Sequence, residues 1–116
     1  FPTRRSSDLA GLTELTWDDT VATAAMTRSK EIEKSFSHTR PDGRNFGTAI
    51  TDLGITYRGA GENIAWGQKT PEAVMNAWMN SEGHRANILN PNFKKLGVGY
   101  RTDSQRTPYW TQLFTY

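Results

Sequence analysis

The chain has no cysteine. That excludes disulfides, thiolate metal sites and a cysteine nucleophile, and it leaves the compartment open, because an exported domain can fold without disulfides. No apolar run approaches the ~20 residues of a membrane span. An excess of one charge is missing too: 14 Lys and Arg stand against 12 Asp and Glu, a net charge of +2. Both signs are spread along the chain, so there is no basic stripe of the kind that meets nucleic acid. Repeats and low-complexity tracts are absent. Gly59-Ala60-Gly61 is no phosphate-binding loop, since the Gly-Lys-Ser/Thr end is lacking. Histidine is scarce, with only His38 and His84.

What is present suits one domain. A length of 116 residues can bury one core, and four Trp, four Tyr and five Phe supply large pieces for it. Residues 1–9 do not belong to that pattern. Phe1-Pro2-Thr3-Arg4-Arg5-Ser6-Ser7-Asp8-Leu9 resembles the translation of a common short-read sequencing adapter, a scar of metagenomic reading frames; the alternative is a basic, disordered leader. The domain is therefore expected over residues 10–116. No signal peptide is present in the sequence given, and with such a scar at its start this says nothing of location.

Asp18 or Asp19 caps a predicted helix running to about residue 35, with Val21, Ala25, Ser29, Ile32 and Phe36 as its buried stripe. A second helix is expected over residues 45–53, stopped by Gly54, and a short strand over residues 55–58. Gly59-Ala60-Gly61 lets backbone pass close to a neighbour. Thr70-Pro71-Glu72 starts a helix to about residue 81 that buries Val74, Ala77 and Trp78. Gly83 is expected to break it, and residues 85–89 to add another turn that Asn90-Pro91-Asn92 ends. Residues 95–102 and 109–116 alternate as two antiparallel strands. Helices first and strands last predict an α+β layout.

Few residues can do chemistry. His38 and His84 each fall at a loop or helix end, and Glu62 stands between them in Gly61-Glu62-Asn63-Ile64. Two imidazoles and a carboxylate can ligate a divalent metal with open positions, or act as acid and base without one. Ser81 near His84 lacks a nucleophile elbow and reads as a cap or packing residue. Asn63 reads as a loop-fixing residue. Trp17, Trp66, Trp78 and Trp110 form either an aromatic sugar-binding surface or, by preference, core and cleft walls.

Several of these motifs occur together elsewhere. Gly61-Glu62-Asn63-Ile64, the stretch Trp78 through Ser81-Glu82-Gly83-His84-Arg85-Ala86-Asn87-Ile88-Leu89 to Gly97-Val98-Gly99, and Tyr109-Trp110-Thr111-Gln112-Leu113-Phe114 appear in this order. Together they resemble the bacterial type of the CAP superfamily (cysteine-rich secretory proteins, antigen 5, pathogenesis-related 1). The resemblance implies a three-layer α-β-α sandwich, here expected to lack the first helix. It also implies an extracellular, secreted protein and one cleft gathering His38, Glu62 and His84. A second acid, frequent in eukaryotic members, would fall on Ser81; Glu82 either supplies it from the next position or points into solvent. Ser81, Glu82 and Asn63 are thus candidate cleft residues.

For function, the resemblance settles no common activity; the first expectation is a non-catalytic module that recognises a lipid, sterol, glycan or cell-wall component. A divalent metal, zinc foremost, would be held by His38, His84 and Glu62. The alternative is a metal-dependent extracellular hydrolase in which His38, Glu62 and His84 are catalytic. No nucleic-acid partner and no membrane span are expected, and the chain is expected as a monomer or weak dimer.

Overall fold

The computed structural model describes residues 15–116. The adapter-like segment and the place where a first helix is expected to be lacking lie outside them. The elements are β1 (Thr16–Trp17), α1 (Asp19–Lys34), α2 (Thr48–Thr51), β2 (Ala60–Trp66), α3 (Pro71–Met79), α4 (Glu82–Ile88), β3 (Lys95–Thr102) and β4 (Pro108–Thr115). The fold is α+β, with helices on a mixed sheet of order β1-β3-β4-β2. β1 runs parallel to β3, and the other pairs are antiparallel.

Alternation along the strands sends successive side chains to opposite faces. Leu113 packs with Val21, Ala24 and Ala25 of α1. Its neighbour Phe114 packs with Val74, Met75 and Trp78 of α3 and Ile88 of α4. The sheet is therefore the middle of three layers. The α1 layer sits unusually close, because β3 turns Gly97 and Gly99 toward it: a Cβ at either would collide with the backbone of Val21, Ala22 and Ala25. Local signals hold the helices in place. The Asp18 carboxylate accepts the N–H groups of Thr20 and Val21, and Thr70 Oγ1 accepts that of Ala73 ahead of Pro71.

Several expectations need correction. Phe36 is not in the α1 stripe: the helix ends at Lys34, Ser35 is extended, and Phe36 stands 49% exposed. The buried positions the stripe lacked are Ala24 and Arg28. The helix expected over residues 45–53 shrinks to Thr48–Thr51, though Gly54 does follow it with φ +85. Residues 55–58 form no strand; the ladder begins at Ala60. In α3, Met75 is buried and Ala77 is exposed at a cleft. Gly83 breaks nothing: the chain bends at Ser81, which is extended, and Gly83 lies inside α4. Trp78 and Trp110 are core residues, whereas Trp17 and Trp66 are 47% and 58% exposed. The close passage expected at the glycine pair is present, with Gly59 against the Tyr116 ring and Gly61 against Phe93.

Candidate functional site

The loop after α1, the end of β2 and the α3–α4 corner enclose a cleft of about 470 Å³. His38 and His84 both line it, with Ser37, Ser81, Gln68 and the aromatic walls Phe36, Trp66 and Trp78. The His38 loop is tied down at several points. Arg28 Nη2 donates to Ser37 O, the N–H of Phe46 donates to His38 O, and Thr39 bridges Asn45.

Glu62 lies beneath His38 rather than in the cleft wall. Its position in β2 turns it toward α1, where its side chain is wholly buried beside an equally buried Arg28. Arg28 Nε donates to Oε2 at 2.6 Å and Arg28 Nη2 to Oε1 at 3.1 Å. Oε1 also meets His38 Nδ1 at 2.8 Å. A buried carboxylate needs such partners, because desolvation of an unpaired charge costs several kcal/mol, about as much as a salt bridge can return. Glu62 thus reaches the cleft through His38, whose ring it orients and whose Nε2 is left for the cleft.

His84 is held differently. Its Nδ1 lies 2.8 Å from Ser81 Oγ, and the turn that carries it is fixed from below. Asn63 Nδ2 donates to His84 O and to Gln112 Oε1, while Asn87 Nδ2 donates to Asn63 Oδ1. Asn63 is fully buried, so it positions α4 and does not line the cleft. Glu82 is exposed in the first turn of α4, where it suits the positive helix end, and it too is absent from the cleft wall.

The two imidazoles are pushed in opposite directions. The hydrogen bond that His38 donates to Glu62 raises His38 above its usual value and outweighs burial and the Arg28 charge. Burial lowers His84, and the nearby His38 charge adds to this. Between the two values His38 is cationic while His84 is a neutral acceptor, the kind of separation that lets a pair act as acid and base.

Among the described residues, no group of three or more His, Cys, Asp or Glu side chains is arranged to hold a metal ion. The donors the cleft itself offers are two imidazoles, each with Nδ1 already engaged. Two such donors do not complete a four-ligand structural site.

Arg28 escaped the sequence reading, although a legible signal existed: an arginine in phase with Val21, Ala24, Ala25 and Ile32 on an apolar helix stripe. Gln68 carried no such signal. Its Oε1 is buried with no hydrogen-bond partner among the described residues, at the edge of the cleft.

The arrangement has relatives. A model of the cysteine-rich secretory protein family (CAP) matches residues 4–114. The chain belongs to this family. The CAP domain here is 47% identical over 106 residues to YkwD of Bacillus subtilis, covering 90% of this chain and 40% of that protein. An extracellular protein of Bacillus anthracis containing an SCP domain superposes with a TM-score of 0.85 at 34% identity, over 95% of this chain and 36% of that one. An outer surface protein of Borrelia burgdorferi shares the fold at 22% identity, with a TM-score of 0.84 over 95% of this chain and 83% of its own. The chain thus spans less than half the length of both Bacillus relatives. No helix among the described residues is long and apolar enough to cross a membrane.

Proposed function

We propose that this CAP domain is an extracellular binding module whose cleft recognises a lipid, a glycan or a cell-wall component. His38 and His84 would hold a divalent ion there, zinc foremost. The observation that carries this reading over catalysis is the state of Glu62. A carboxylate wholly buried and bonded on both oxygens by Arg28 and His38 is poorly placed to take a proton from water or to ligate an ion. It serves instead to fix the His38 ring. A bound ion would supply Lewis acidity and open coordination positions. The chain's own residues supply the rest: aromatic walls for an apolar or ring-bearing ligand, and Ser37, Ser81 and Gln68 for its polar groups.

The extracellular placement draws on the Bacillus anthracis relative. Calorimetry with zinc chloride tests the cleft: weak binding that fades as pH falls through the imidazole range is expected, because only neutral imidazole ligates. Equal binding by a His38→Ala, His84→Ala double variant overturns it. The separated imidazole affinities for protons favour a second reading, a metal-dependent hydrolase with His38, Glu62 and His84 as its working groups. Turnover across a broad substrate panel that vanishes with chelator and with His84→Ala would establish that reading in place of the first.

A further inference from the structure

A second groove of about 780 Å³ adjoins the histidine cleft, with Trp66 as the wall they share. Trp66 and Tyr100 present it with exposed ring surface, at 58% and 42%. Lys69 and Arg106 supply positive charge, Gln105 and Thr102 supply hydrogen-bonding groups, and no carboxylate lines it. Neither Lys69 nor Arg106 makes an ion pair among the described residues. The acid of the same hairpin, Asp103, is engaged elsewhere: its Oδ1 accepts the N–H groups of Gln105 and Thr107, and its Oδ2 accepts the Tyr109 hydroxyl.

The hairpin holds Arg106 in a costly conformation. The N–H of Arg106 donates to Asp103 O and that of Asp103 to Thr107 O, which closes the β3–β4 turn. Arg106 then sits at φ +64, the one non-glycine residue with positive φ among the described residues. Glycine fills such a position without strain. A cation kept there against backbone preference, beside a groove without an acid to pair with, points to a ligand.

We propose that this groove binds an anionic sugar chain, with pyranose faces against Trp66 and Tyr100 and carboxylates on Lys69 and Arg106. Flat apolar rings interleaved with polar side chains suit sugars, which offer C–H faces and hydroxyl edges together. Arginine and lysine match the carboxylates. A lipid would need a more apolar enclosure. A nucleic acid would need a longer basic track than two cations provide. The inference deepens the binding-module reading without needing its metal, since none of the groove's residues is His38, Glu62 or His84.

The test is a titration of the full chain with a short oligogalacturonate at low salt in the presence of chelator, read by tryptophan fluorescence and calorimetry. With chelator present, glycan binding and metal binding fail separately. The expected result is binding by wild type that weakens roughly two- to fivefold in Arg106→Gly and again in Lys69→Gln, the size expected for exposed charge pairs. The methyl-esterified oligosaccharide and ringless polyglutamate should bind far more weakly. Arg106→Gly should melt no lower than wild type, since glycine relieves the turn, which separates lost contact from lost fold. The proposal is overturned by absent binding, by wild-type affinity in both variants, by equal binding of polyglutamate or of the esterified chain, or by tighter binding of an oligothymidylate.

Discussion

At the scale of single residues, the cleft depends on an arginine that never reaches it. Arg28 is fully buried and joins Glu62, Glu31 and the carbonyl of Ser37, so it binds β2, its own helix and the His38 loop together. Arg28→Ala would leave Glu62 buried without its cation, a loss of about 3–5 kcal/mol by precedent for broken buried pairs. Urea unfolding should show a correspondingly lower midpoint. Glu62→Gln is gentler, because the amide keeps the shape and removes the charge. In chelated protein, NMR titration of the wild type should place His38 above its usual value of 6.5 and His84 below it. In Glu62→Gln the His38 value should fall, since the group that raises it has gone. A His38 titration unmoved by this change would show that the Glu62 charge is not what raises it.

At the scale of elements, the contact between α1 and β3 is the least forgiving. Gly97 and Gly99 bring the strand against the helix backbone, where side-chain rotation cannot relieve a collision. Gly99→Ala should therefore destabilise by about 1–3 kcal/mol or more, the range for overpacking, with the loss visible in thermal unfolding. A variant as stable as wild type would mean that α1 can lift off the sheet. The same elements show what a sequence can and cannot reveal. β3 was legible from its alternation and α3 from Thr70-Pro71, since both signals are local. β2 was not, because Gly61 to Ala65 are buried on both faces and give no alternation. His38 and His84 were placed together by motif, and the structure puts both in one cleft. The clamp on Glu62 stayed hidden because Arg28 lies far away in sequence, and only the fold brings the two into contact.

At the scale of the whole molecule, the two faces of the sheet are held by different forces. Large side chains fill the α3–α4 face: Trp78, Phe93, Trp110 and Phe114. The α1 face carries small residues and a run of charges in which Glu62 meets Arg28, Arg28 meets Glu31, Glu31 meets Arg40, and Arg40 meets Asp52. Acid should therefore act chiefly on the α1 face. For Glu31, burial raises the carboxyl's affinity for its proton, yet hydrogen bonds from Arg40 and Arg28 overcome it and the net shift is downward from 4.5. Asp18, capping α1, is lowered from 3.8 chiefly by the N–H of Val21. A carboxyl with a lowered folded value binds fewer protons native than unfolded, so its stabilisation is complete above the unfolded value and is lost as pH falls through the folded one. His38 runs the other way: its raised value contributes below 6.5 and is lost as pH rises through the folded value. The lowered His84 opposes it, contributing above 6.5 and losing that contribution as pH falls through its folded value. The two imidazoles thus act against each other around neutrality, and the steep loss of stability should come below about pH 4, from the carboxyls. Urea midpoints measured across this range in wild type and Glu31→Gln decide the matter. The variant should be less stable near neutrality and lose less on acidification, because the group that must take up a proton has been removed. Parallel curves for the two proteins would move the acid sensitivity away from the α1 face.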